Sequence, residues 1–307
     1  MIELAQGTQV SGYCIERFLG RGGFASVYLA TDNETGEKVA LKMGALGGGG
    51  RYVTRFHEVT DERSISGISP DEVPGDAVFI DRDGARFDFL DCAEIDALLE
   101  AEAALLGSAK STHMVHFRKI EQHEGRPVLV LDYVRGHTLR EKIRAGEGIR
   151  LQWFQQLTEA LLASTDSGEF TCHGDLKPEN IIITPAGNAV MLDPGRDGDG
   201  YVATTALYNP LLLRDERADV MAIGIMIYEI LTGCLPFDEA PWEYAGAKSS
   251  GETARMSLSY FLSYPAPSVL NEKTPAELER LIYRCLTVPE YGLEGLREDL
   301  LAYLKKA

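Results

Sequence analysis

The stretch His173-Gly174-Asp175-Leu176-Lys177-Pro178-Glu179-Asn180 sets out one carboxylate, an ammonium two residues on and an amide five residues on. It stands between an amphipathic helical pattern, Leu151 to Ala163, and a short β-branched strand, Ile181 to Thr184. A loop at such a junction holds side chains firmly while leaving them open to a ligand. Asp175 can accept a hydroxyl proton, Lys177 can neutralise a moving phosphate, and Asn180 can offer an oxygen to Mg²⁺. That set suits phosphoryl transfer.

The elements that must position these groups are legible on both sides. Tyr13 to Leu19 alternates and runs into Gly20-Arg21-Gly22-Gly23-Phe24-Ala25-Ser26-Val27, with a second strand over Val27 to Thr31. After a turn at Asn33-Glu34-Thr35-Gly36, Lys38 to Met43 reads as a third strand. Glycines between two antiparallel strands let the backbone close over a ligand and turn its amides toward phosphate oxygens. Taken alone, this cluster reads equally well as a plain glycine-rich hairpin. Asp91 to Leu106 is a helix with Ile95, Leu98, Leu99, Glu102, Leu105 and Leu106 on one face. A glutamate within an apolar stripe calls for a cationic partner. Glu102 sits in the stripe and Glu100 lies off it. Val115 to Ile120 and Pro127 to Leu131 are two further strands, turning at Glu124-Gly125, and helices follow over Thr138 to Ala145 and Leu151 to Ser164. Asp219 to Gly233 is apolar almost all round, as a buried central helix should be.

In this order the motifs resemble those of eukaryotic-type (Hanks-type) serine/threonine protein kinases. The glycine run followed by Val39-Ala40-Leu41-Lys42 is similar to the family's G-x-G-x-x-G-x-V and V-A-I-K, and the catalytic loop to H-R-D-L-K-P-x-N. The chain is identified as a divergent member, with His-Gly-Asp and Asp-Pro-Gly where the family has H-R-D and D-F-G. The resemblance implies an α+β, bilobal fold: a small antiparallel β-rich N-lobe with one key helix, and a larger, mainly helical C-lobe. The expected lobes are 1–134, with an insertion at 44–91, and 135–307. It further implies ATP and Mg²⁺ as cofactors, with the nucleotide lying between the lobes. Lys42, fixed by Glu102 in preference to Glu100, would grip the α- and β-phosphates. Gly20, Arg21, Gly22, Gly23, Val27, Ala40, Leu131 and Ile182 would line the nucleotide, and Asp132 and Val134 would meet the adenine through their main chain. Asn180 and Asp193 would hold the metal, Asp175 would take the acceptor proton, Lys177 would neutralise charge, and Thr205 would support Asp175.

The departures matter as much. Gly174 removes the arginine that would clamp a phosphorylated activation loop, so activity without such phosphorylation is expected. Pro194 fixes φ and cannot replace the phenylalanine ring of D-F-G. Tyr208-Asn209-Pro210 ends the segment without the usual glutamate, and Arg280, Arg284 and Arg297 leave its arginine partner undecided. The expected activity is transfer of the ATP γ-phosphoryl group to Ser/Thr hydroxyls of a protein. Two alternatives stay open: a pseudokinase acting as a nucleotide- or partner-binding scaffold, and a nucleotidyl transferase or small-molecule kinase.

Composition sets the outer bounds. The 307 residues are 45% hydrophobic and 25% charged, and the net charge is −17. That balance argues against nucleic acid or an anionic membrane as partner. Five scattered cysteines read as reduced thiols rather than disulfides or a zinc site. The N-terminus lacks a secretory signal and no apolar run spans a bilayer, so a cytoplasmic location is expected. Gly44 to Asp91 reads as an acidic insertion containing a hairpin about Asp81-Arg82-Asp83-Gly84, a candidate for partner docking or self-regulation.

Overall fold

The computed structural model describes residues 4–22, 25–44, 53–55, 79–80, 86–88, 92–109, 111–148, 150–165, 170–198, 201–203, 207–211, 213–237 and 264–306. In chain order the first strands are β1 (Gln9–Val10), β2 (Tyr13–Arg21), β3 (Ala25–Asp32), β4 (Lys38–Gly44), β5 (Val53–Arg55), β6 (Phe79–Ile80) and β7 (Arg86–Asp88). The others are β8 (Phe117–His123), β9 (Arg126–Asp132), β10 (His137–Thr138), β11 (Ile181–Ile183), β12 (Ala189–Met191), β13 (Arg196–Gly198) and β14 (Tyr201–Ala203). The helices are α1 (Cys92–Ser108), α2 (Leu139–Arg144), α3 (Leu151–Thr165), α4 (Glu216–Thr232), α5 (Pro267–Leu270), α6 (Ala276–Thr287) and α7 (Leu293–Leu304). The chain divides into two compact units: Met1–Gly107 with Val115–Tyr133 and Arg196–Ala203, and Ser108–Met114 with Val134–Gly195 and Thr204–Ala307.

The first unit is built on an antiparallel six-stranded sheet of order β1-β2-β3-β4-β9-β8. Its core is the inward-facing set of those strands, including Tyr13, Ile15, Tyr28, Leu41, Val128 and Val130. The central strands β4 and β9 are buried along almost their whole length, which their near-continuous apolar sequences require. Register sets Lys42 opposite Val27 on one side and Leu129 on the other. Glu124 and Gly125 both take positive φ, 51° and 79°, which makes the tight β8–β9 turn.

The expected insertion hairpin is present as β6 paired to β7, with Phe79 opposite Phe87. Its neighbours in the sheet were not foreseen. β7 also pairs with β5, and β5 pairs with β14 through Tyr201 and Arg55, so the sheet runs β13-β14-β5-β7-β6. The insertion thus shares a sheet with the hairpin that follows Asp-Pro-Gly.

The second unit is organised on α4. Asp215 caps its start by accepting from the Arg217 N–H at 2.9 Å, and Gly233 ends it in the left-handed region at φ 79°. Every residue from Ala218 to Glu229 is buried. α6 presses on it so closely that a Cβ on Gly224 would stand 2.5 Å from the Cys285 Cβ. A three-stranded sheet, β10-β11-β12, adjoins the loop from His173 to Asn180. Gly136 admits the β11 backbone, since a Cβ there would lie 2.3 Å from the Ile183 carbonyl oxygen. Among the described residues no helix is long and apolar enough to cross a membrane.

Candidate active site

In the first unit, β4 delivers Lys42 and α1 delivers Glu102. The lysine Nζ is 2.8 Å from both Oε1 and Oε2, and the residues are 3% and 1% exposed. Glu102 lies on the buried face of α1 with Ile95, Leu98, Leu99 and Leu106, whereas Glu100 is exposed. Gly20 and Arg21 end β2 opposite Val27 and Ser26, and the Gly22 N–H closes the turn on the Ala25 carbonyl at 2.8 Å. Ala40 and Leu131 face each other across β4 and β9, both buried, and Asp132 ends β9 with its main-chain N–H on the His116 carbonyl. Gly23 lies outside the described residues.

In the second unit, the loop from His173 to Asn180 is fixed from below by Asp219 of α4. Its Oδ2 accepts the His173 N–H at 2.7 Å and its Oδ1 the Gly174 N–H at 2.9 Å. Burial pushes the Asp219 carboxyl up to about 7, and the two donated bonds work against that rise. The imidazole of His173 is fully buried, with Nε2 2.9 Å from the Leu192 carbonyl. On this base Asp175, Lys177, Asn180 and Asp193 come together. Lys177 Nζ is 2.7 Å from Asp175 Oδ2, and the Asn180 amide donates to Asp175 Oδ2 at 3.1 Å and to the Asp193 carbonyl at 3.4 Å. Asp193 holds φ at 54°, in the left-handed region that few residues with a side chain adopt. Pro194 is buried, and the Gly195 N–H bonds the His173 carbonyl at 2.7 Å. Ile182 lies on β11 between Thr138 and Val190, and Val134 follows β9 half-buried. Thr205 lies outside the described residues.

A family model described as protein kinase domain matches residues 91–291. The chain belongs to the protein kinase family. Serine/threonine-protein kinase PrkC of Bacillus subtilis (strain 168) is 25% identical over 322 residues, covering 98% of this chain and 41% of PrkC. CBL-interacting serine/threonine-protein kinase 20 of Arabidopsis thaliana is 26% identical over 246 residues, covering 74% of this chain and 46% of that protein. The chain therefore spans less than half the length of these two relatives. Among solved structures, the PknI kinase domain of Mycobacterium tuberculosis has a TM-score of 0.62 at 18% identity, covering 99% of this chain and 100% of that one. The PpkA-294 apo form has a TM-score of 0.64 at 17% identity, covering 98% and 99%. These likenesses establish the kinase fold, with its antiparallel N-lobe sheet and helical C-lobe.

The loop from His173 to Asn180 has a further neighbour that the sequence reading missed. Arg140, the second residue of α2, donates from Nε to Glu179 Oε1 at 2.7 Å, from one terminal nitrogen to Glu229 Oε1 and from the other to the Tyr208 hydroxyl. The Tyr208 hydroxyl in turn donates to Glu229 Oε2 at 2.7 Å. Burial works to lower the Arg140 guanidinium, but the bonds to Glu229 and Glu179 outweigh it and hold it above its usual value. Burial and the Glu229 carboxylate push the Tyr208 hydroxyl well above the phenol range. The available signal was Glu229 itself, an acid at the end of the buried apolar run of α4, which had to find a cation. The cluster also accounts for the segment end without its glutamate. Tyr208 is tied to α4, and the Asn209 side chain bonds both the N–H and the carbonyl of Leu213, at 2.9 and 3.0 Å. Arg284 and Arg297 pair locally, with Asp299 and Glu294.

Proposed function

We propose that this chain transfers the γ-phosphoryl group of ATP, with Mg²⁺, to serine or threonine hydroxyls of a protein. The observation that carries the reading is the meeting of Asp175, Lys177 and Asn180 on a backbone that Asp219 pins by two N–H bonds. Asp175 orients the acceptor hydroxyl and receives its proton. Lys177 offsets charge on the transferred phosphate, and Lys42, fixed by Glu102, grips the α- and β-phosphates. The donor set fits a hard cation: Asn180 spends its N–H on Asp175 and so presents Oδ1, and Asp193 adds a carboxylate. Bound there, Mg²⁺ supplies charge neutralisation to the phosphate oxygens. Gly174 stands where an arginine would read a phosphorylated activation segment, so activity is retained after phosphatase treatment. PrkC and the CBL-interacting kinases are named serine/threonine kinases, which supports a protein acceptor of that class.

Incubation with γ-labelled and α-labelled ATP, for wild type and Asp175→Asn, tests the reading. Label from γ on protein, lost in the variant, is the expected result. Label from α would make the chain a nucleotidyl transferase, and intact nucleotide binding with neither label would make it a scaffold.

A further inference from the structure

Arg126 opens β9 three residues before Leu129, which stands opposite Lys42 on β4. Two neighbouring strands of one sheet therefore present two cations, about 10 Å apart along the strand direction. α1 presents two acids, Asp96 and Glu102, six residues and about 9 Å apart along its axis. The spans match, and both pairs form. Arg126 Nε lies 3.0 and 3.1 Å from the two Asp96 carboxylate oxygens, and Nη2 lies 2.7 Å from Oδ1. The two side chains are only 19% and 21% exposed. The bond to Asp96 outweighs partial burial and holds the Arg126 guanidinium above its usual value. β4 ends at Gly44 beside this fork. A Cβ there would stand 2.7 Å from both Arg126 Nη2 and Ile95 Cγ2, and 3.4 Å from Asp96 Oδ1. Glycine thus lets the arginine and α1 approach the strand end this closely.

The contact of Lys42 with Glu102 fixes one point of α1. A helix held at one point can still turn about its axis. Side-chain groups ride about 5–6 Å from that axis, so a turn of about 30° carries a carboxylate about 3 Å. That is the whole separation of Glu102 from Lys42. The apolar face of α1 adds burial but little direction. The fork on Asp96 adds direction, because a planar guanidinium loses its paired bonds together when the carboxylate swings away. Resting on the phosphoryl-transfer reading, we propose that Arg126 is a positioning residue of this kinase: its fork on Asp96 sets the rotation of α1 that keeps Glu102 on Lys42, and so keeps the ammonium ready for the nucleotide phosphates. All four residues belong to the first unit, so this hold on α1 needs no phosphorylated segment.

The test reads Lys42 directly, by the rate at which an N-hydroxysuccinimide ester acylates it in the folded protein. The exposed Lys305 serves as internal reference, and peptide mass spectrometry gives the ratio. In wild type the ratio should be low, since Lys42 is buried and paired. In Arg126→Met it should rise by about fivefold or more, the scale of a charge-assisted bond. Arg126→Lys, which keeps the charge but not the fork, should shift it in the same direction and guards against misfolding of the methionine variant. Asp96→Ala should match Arg126→Met, and the double variant should be no worse than either, because the two residues act as one pair. The same loss should raise KM for ATP by about fivefold, with kcat at saturating ATP and KM for a serine peptide within about twofold of wild type. Lost packing alone would lower the urea midpoint without this split. An acylation ratio within about twofold of wild type in folded variants would overturn the proposal, as would single effects that add in the double variant. A raised ratio with an unchanged KM for ATP would overturn it too. If wild type transfers no γ-phosphate, the kinase reading fails, while the acylation ratio still decides whether Arg126 holds Glu102 on Lys42.

Discussion

The Lys42 ammonium sits 2.8 Å from each carboxylate oxygen of Glu102, sixty residues along the chain, with both groups sealed from solvent. Removing one partner strands a buried charge, which typically costs about 3–5 kcal/mol. Lys42→Met should therefore lower the urea midpoint strongly as well as abolish phosphoryl transfer. Adding Glu102→Leu should restore most of the lost stability without restoring activity, because two apolar groups of similar volume need no partner. An unfolding free energy for the single variant within about 0.5 kcal/mol of wild type would mean that water reaches the pair.

Gly174 stands at φ 74°, where a side chain is strained by about 1–2 kcal/mol. A Cβ there would lie 3.6 Å from the Cys172 Sγ, an ordinary contact, so the cost is in the backbone rather than in crowding. Gly174→Ala and Gly174→Arg should thus lower the thermal midpoint by similar amounts, a few degrees each. A far larger fall for arginine would shift the explanation from φ to side-chain fit.

One part of the site could be read from a charge that breaks an apolar pattern, whereas Lys42, Asp175, Lys177, Asn180 and Asp193 were read from residue types and the order of the motifs. Glu102 interrupts the stripe of α1 and found the cation such placement demands. Arg140 gave no comparable signal, because one arginine in a short capped helix looks like a solvated surface residue. Its presence was announced only from the other end, by Glu229. The small strands β5, β13 and β14 were illegible for another reason: three residues carry too little alternation to establish a period. The pairing of β14 with β5 also joins positions more than a hundred residues apart, Tyr201 and Arg55.

Cys285 is fully buried against α4, and burial pushes its thiol up to about 12. At pH 8 that leaves roughly one thiolate in ten thousand, and the thiolate is the form that reacts. Cys92 and Cys234 are exposed. Iodoacetamide at pH 8 should label those two within minutes and reach Cys285 only in denaturant, as read by peptide mass spectrometry. Labelling of Cys285 in the folded protein at a rate near that of Cys92 would show that α6 opens from α4 on the same timescale.

The sheet that joins the insertion to the hairpin after Asp-Pro-Gly makes a last prediction at the level of the backbone. Arg55 is opposite Tyr201 in that sheet, and Arg55 is opposite Arg86 on its other side. A proline at position 55 has no N–H and cannot sit in the middle of a ladder. Arg55→Pro should therefore loosen β14 even though the two positions are far apart in sequence. Hydrogen exchange over Tyr201–Ala203 should speed up by about tenfold or more, whereas exchange in β3, β4 and β9 should not change, because those strands belong to the other sheet. If the pairing instead contributes nothing to the order of the hairpin, exchange there will be the same in both proteins. An equal rise across β4 and β9 would mean that the proline had unsettled the whole unit rather than one ladder.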